Sequence, residues 1–140
     1  MTKRFFVAWL AVFVAWMAGS IVIHGVLLNA DYAKLANLFR SHEDAGKYFG
    51  FMIAGHALMA GALVWIYRQG VADKPFLGQG LRFGCAVALL TVVPMYLIYY
   101  AVQPMPGGLV ARQIVFDSAL VVVLGVLVAW MSREGKGSGV

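Results

Sequence analysis

The sequence predicts an all-α integral membrane bundle of four transmembrane helices. Composition is the first observation. Of the 140 residues 62% are hydrophobic and 12% charged, with a mean hydropathy of +0.82; a soluble domain built this way would lack enough polar residues to cover its surface. Length is the second. Four apolar stretches, at about 5–28, 48–67, 83–102 and 109–131, approach or exceed the ~20 residues that cross a hydrocarbon core of ~30 Å. Pattern is the third. The stretches are too long for strands and lack two-residue alternation, and in lipid each backbone polar group must be satisfied internally, which leaves helices. The chain length suits one domain, residues 1–132, followed by a flexible polar tail at 133–140.

The first stretch opens on MTKRFFVAWLAVFVAWMAGS, which has the basic start and apolar middle of a secretory signal. It then continues through IVIHGVLL, long enough to span, so it is expected to be retained as a helix. Within it Ala11, Ala15 and Gly19 recur every fourth residue, as Ala57 and Gly61 do in the second stretch; small residues so spaced let helices approach closely in lipid. The outer loop NADYAKLANLFRSHEDAGK carries Ala33, Leu35, Ala36, Leu38 and Phe39, a pattern expected of a short interfacial helix. Ser41 with Asp44 three residues on resembles a helix start, so the second helix is expected to begin ahead of the membrane. The inner loop QGVADKPFLGQG is polar and marked by Gly and Pro. Pro94 is expected to kink the third helix and free a backbone carbonyl. PMPGG then makes a tight turn that forces the third and fourth helices to be antiparallel neighbours.

Four spans put both termini on one side. Lys3, Arg4, Arg68, Lys74, Arg82, Arg133 and Lys136 fall there, against Lys34, Arg40, Lys47 and Arg112 opposite. Basic residues favour the cytoplasmic side, so both termini are expected in the cytoplasm. Trp9, Trp65 and Trp130 lie just inside that edge and read as an aromatic belt; Trp16 does not fit it. The net charge of +5 sits at helix ends as anchors for anionic head groups and gives no nucleic-acid signal. A single cysteine, Cys85, excludes an intramolecular disulfide and any multi-cysteine metal site.

Three ionisable side chains fall well inside the spans: His24, His56 and Asp117. At ~1.5 Å per residue they lie ~7, ~12 and ~12 Å from the outer helix ends, with Tyr96 at ~9 Å. Gln113 shares the helical face of Asp117, and Ser20 lies one turn from His24. Arg112 is off that face and is expected to snorkel outwards. A carboxylate in mid-span costs ~3 kcal/mol on insertion scales, so it should turn inward and pair with a histidine. The expected candidate site is a buried polar cluster of Asp117, His56, His24, Tyr96 and Gln113 near the outer leaflet. His42, beside Glu43 and Asp44, is expected to be solvated.

Three functions suit such a cluster. The first is a binding or accessory component of a larger membrane complex or homo-oligomer, with bilayer lipid as its surroundings and the cluster as interhelical glue. The second is a proton-coupled transporter or proton-relay protein acting as an oligomer, because carboxylate and imidazole can both exchange protons. The third is a haem- or metal-binding redox protein with His24, His56 and Asp117 as ligands; no particular cofactor is indicated. Nucleophile elbows, phosphate loops, HExxH and CxxC do not occur, which speaks against a familiar hydrolase or zinc enzyme.

GSIVIHGVLL in the first helix, GHALMAGALVW in the second and FDSALVVVLGVLVAW in the last resemble a family of small four-helix bacterial inner-membrane proteins of uncharacterised function. The likeness covers most of the chain. It implies a bacterial inner-membrane location and brings no activity, cofactor or catalytic residue.

Overall fold

The structure, a computed structural model, describes residues 3–133. The polar tail expected after residue 133 therefore lies outside the described residues, as does Lys136 of the charge count. Among the described residues every regular element is helical, and four helices are long and apolar enough to cross a membrane: Lys3–Leu27, Phe49–Gln69, Phe76–Val102 and Gly107–Ser132.

The first of these is α1 (Lys3–Ser20), which continues as a π-helical stretch, Ile21–Leu27. A short α2 (Asn29–Ala33) follows directly. The interfacial helix expected over 33–39 is thus displaced: regular helix ends at Ala33, and residues 34–39 wind on as turns, with Leu35 N–H donating to Tyr32 O (2.9 Å) and Leu38 N–H to Leu35 O (2.9 Å). The apolar side chains explain the winding. Leu35, Leu38 and Phe39 fold over Leu28, Met105 and Leu109 to form an outer apolar cluster. Ser41 caps α3 (His42–Lys47), accepting the Asp44 N–H at 3.2 Å as its position suggests. The chain breaks at Tyr48 and enters α4 (Phe49–Gln69).

Pro75 precedes α5 (Phe76–Val87), so helix starts about seven residues before the apolar run at 83 that marked it in sequence; proline suits a helix start because its missing N–H needs no partner there. The helix passes through a second π-helical stretch, Ala88–Val92, into α6 (Val93–Val102). The disruption expected from Pro94 is absorbed there. Proline offers no amide and crowds the carbonyl four residues back; just ahead of it the Val93 N–H reaches five residues back to Ala88 O. After the Pro106 turn, α7 (Gly107–Ser132) runs the full height of the bundle.

α7 is the hub, packing most extensively on α5 and also on α1, α4 and α6. Its contact with α5 is made by backbones. A methyl group on Gly84 would fall 2.6 Å from the Val122 Cα, one on Gly80 would fall 2.6 Å from the Val126 Cα, and one on Gly125 would fall 2.6 Å from the Gly80 carbonyl oxygen. Gly80 and Gly84 form a GxxxG pair, the spacing that brings helices together in lipid. Around this seam Phe5, Val12, Leu63, Val64, Leu124 and Val128 fill the inner core. The perimeter is the reverse of a soluble surface: Leu90 and Phe51 are each 78% exposed and Leu58 75%.

One glycine on each small face of α1 and α4 is also covered from inside the bundle. Leu120 occupies the space over Gly19, and the Trp9 ring lies over Gly61. The Trp9 Nε1–H donates to Ala57 O at 2.8 Å. Trp9 is therefore a helix–helix contact rather than a member of an aromatic belt, while Trp65 (54%) and Trp130 (47%) stay exposed.

Candidate functional site

Between the inner core and the outer apolar cluster, four elements supply polar side chains to one layer. Asp117 lies ten residues into α7, with its side chain 13% exposed. Both of its oxygens are engaged. Oδ2 accepts a hydrogen bond from the Tyr96 hydroxyl of α6, and Oδ1 lies 3.2 Å from His24 Nε2. His24 comes from the π-helical stretch after α1, and Tyr96 follows the π-helical stretch before α6. Such i→i+5 turns are rare and concentrate at functional sites. Here each precedes or contains a residue that reaches the same carboxylate.

The other imidazole nitrogen leads outwards. His24 Nδ1 lies 2.7 Å from the Tyr32 hydroxyl of α2, and the two rings stack with centroids 6.0 Å apart. Gln113, one turn from Asp117 on α7 and 3% exposed, donates its Nε2–H to the same Tyr32 oxygen at 3.0 Å. With neutral His24 the donors fall into one order: Gln113 to Tyr32, Tyr32 to Nδ1, Nε2–H to Asp117, and Tyr96 to Asp117. Each hydroxyl donates once and the carboxylate only accepts. Two buried atoms, Gln113 Oε1 and Ser118 Oγ, have no partner among the described residues.

The layer is tied to the outer loop. Arg112, expected to snorkel outwards, reaches the outer loop, where it pairs with Asp31 beside Tyr32 (2.9 Å) and bonds Gly108 O through Nε (3.2 Å). Burial holds the Tyr32 phenol above its ordinary pKa of 10.0; the Gln113 hydrogen bond opposes this, and the Asp117 and Asp31 carboxylates add to it.

Of the expected cluster, Asp117, His24 and Tyr96 are in direct contact, and Gln113 joins them through Tyr32. His56 does not. Its Nδ1 faces Met52 O at 2.8 Å and must donate, so Nε2 is left to accept from the Ser20 hydroxyl at 3.0 Å. The Trp16 ring meets it edge-on at 6.3 Å. The expected His56–Asp117 pairing is thus replaced by a stitch between α4 and α1. The reason is azimuth: counting along a helix gives height, but His56 faces α1 while Asp117 faces α6 and the end of α1. His42 is exposed, as expected.

Sequence reasoning missed Tyr32 and Asp31. Both stand in the loop NADYAK just past the first span, and loop residues are ordinarily taken as solvated. The available signal was their position within one helical turn of the end of a span that also carries His24. It missed the α5–α7 seam too, although Gly80 and Gly84 are four apart.

Among the described residues no three His, Cys, Asp or Glu side chains are grouped to hold a metal ion. Both nitrogens of His56 are committed within the protein, so His24 and His56 present no shared ligand position. The layer joins an acid, an imidazole and two phenols through hydrogen bonds. No protein-family model, curated protein or solved structure matches the chain.

Proposed function

We propose that this chain is a multi-pass protein of the bacterial inner membrane, both termini cytoplasmic, whose Asp117–His24 site takes up and releases a proton. The membrane reading is supported by four helices of spanning length and by a perimeter of exposed Leu, Phe and Val, a surface suited to acyl chains. The orientation is supported by the seven-to-four distribution of basic residues.

One observation carries the proton reading: a side chain that costs ~3 kcal/mol to bury as a charge is flanked by an imidazole at 3.2 Å and a phenol, at the end of a continuous hydrogen-bond path. Glue alone would need no carboxylate, since Ser or Asn can bridge helices. Four helices are few to enclose a conduit, so the site is placed in a homo-oligomer or a larger membrane complex. A purely accessory protein is the alternative reading, in which the cluster serves as interhelical glue.

The test is proton flux. In proteoliposomes Asp117→Asn keeps the size and one of the two acceptor oxygens that Tyr96 and His24 use but cannot ionise, and flux should fall at least about tenfold while helical content and oligomeric state stay as in wild type. Equal flux in the two proteins would remove the proposal and leave a structural cluster.

A further inference from the structure

The hydrogen-bond path through His24 has a direction, and the direction depends on how many protons the imidazole holds. This inference rests on the proton-exchange reading and concerns how the site is regulated. With neutral His24, Tyr32 donates to Nδ1 (2.7 Å) and its oxygen accepts from Gln113 Nε2–H (3.0 Å). With His24 protonated both ring nitrogens donate. Nε2–H still points at Asp117 Oδ1 (3.2 Å), but Nδ1–H now points at the Tyr32 oxygen. The Tyr32 hydroxyl hydrogen must then find an acceptor elsewhere.

Gln113 is placed to provide one. Its carboxamide carries a donor and an acceptor on opposite arms, and its Oε1 is buried with no partner. A half-turn of the amide puts Oε1 where Nε2 stands, 3.0 Å from Tyr32. We infer that Gln113 is a positioning residue that reverses the path: its amide turns from donor to acceptor as His24 gains a second proton.

The protons balance. A proton reaching the Tyr32 oxygen from water forms a new O–H bond as the original hydroxyl proton passes to Nδ1, so the imidazole gains one proton. The new O–H points at Gln113 Oε1. The imidazolium can then pass its Nε2 proton to Asp117 Oδ1, leaving a neutral acid and a neutral imidazole protonated at Nδ1. The groups facing His24 during this exchange are Asp117 and Gln113 on α7, Tyr96 on α6 and Tyr32 on α2, with Asp31 held by Arg112 (2.9 Å) behind Tyr32.

Nuclear magnetic resonance of the full chain in bicelles, with histidine and glutamine side chains labelled with nitrogen-15, tests this without requiring flux. In wild type the Gln113 amide signals should move in the same pH transition as the His24 ring; amide signals that stay fixed through it would overturn the inference. Gln113→Met keeps the bulk and removes the acceptor, so the His24 ring signals should follow a different course with pH from those of wild type, the effect of losing one hydrogen bond to the charged form. In a Tyr32→Phe background the same substitution should cause no further change, because the link is already cut; an equal shift in both backgrounds also overturns it. A path that reverses while Asp117→Asn leaves flux intact would sink the relay and keep the switch. Lost flux with a stationary Gln113 amide would do the opposite.

Discussion

The inner and outer halves of the bundle are held together by different physics, although α7 runs through both. In the inner half α5 and α7 touch backbone to backbone at Gly80, Gly84 and Gly125, with a dry apolar core beside them. In the outer half the helices are separated by side chains, two of them pass through π-helical turns, and an apolar cluster is joined there by side-chain hydrogen bonds and the Arg112–Asp31 ion pair. Close packing tolerates almost no added volume, whereas a polar layer tolerates rearrangement while its donors and acceptors still match. The comparison teaches where this protein can afford to change state. Close backbone packing marks the inner seam, and the proton-dependent rearrangement we propose belongs to the outer layer.

The largest effect should come from breaking the inner seam. Gly84→Ala adds one methyl group, but its neighbour at 2.6 Å is the Val122 backbone, which cannot swing aside. We expect a loss of ~3 kcal/mol, at the upper end for overpacking, read as a lowered thermal midpoint in detergent. A midpoint equal to wild type would show that the halves are not distinguished by packing as described.

Tyr96→Phe sharpens the contrast from the other side. It removes the donor to Asp117 Oδ2 at nearly constant volume, so stability should fall by about 2 kcal/mol, as for a hydrogen bond to a charged acceptor. The α5–α7 seam should stay intact. Amide hydrogen exchange checks this: protection should drop in α6 and in α7 around Asp117 and remain unchanged near Gly125. Faster exchange along all of α7 would merge the two halves into one cooperative unit.

The smallest effect lies at the edge of the outer layer. Tyr32 holds its proton above the ordinary 10.0 because burial disfavours the phenolate. Below pH 10 the phenol is neutral in both folded and unfolded chains, so it leaves stability unchanged there. Above pH 10 the unfolded chain releases this proton first, so the group's contribution to stability falls as pH rises. An alkaline absorbance titration should show a phenol step later than that of free tyrosine, and Tyr32→Phe should remove it. A wild-type curve that superimposes on the Tyr32→Phe curve in that late region would mean that the loop does not bury this ring.

Much of the candidate site was legible because burial of charge has a large, local cost. Asp117 in the middle of an apolar run had to turn inward whatever its neighbours, and His24 and Tyr96 stood at compatible heights. His56 stood at a compatible height as well, yet it bonds Ser20 and Met52 O. What separates the two histidines is rotation about the helix axis, and the π-helical stretch carrying His24 alters that rotation relative to a regular helix. Tyr32 escaped notice because nothing local distinguishes a loop tyrosine that folds back from one that points to water. Its burial depends on Leu35, Leu38 and Phe39 closing over Met105 and Leu109, a contact across more than sixty residues of chain.

The amino-acid order by itself determined the helical class, the four apolar spans, the Ser41 cap and the need for Asp117 to be sheltered. Each follows from properties summed along one segment: hydropathy, period, and the cost of a buried charge. The fold alone decided which imidazole meets that carboxylate, that Trp9 lies over Gly61, and that Asp31 is the residue Arg112 meets in the outer loop. Those outcomes depend on the relative rotation and separation of whole helices, as does the backbone contact of α5 and α7 at Gly80, Gly84 and Gly125. No single segment contains that information, because it is a property of pairs.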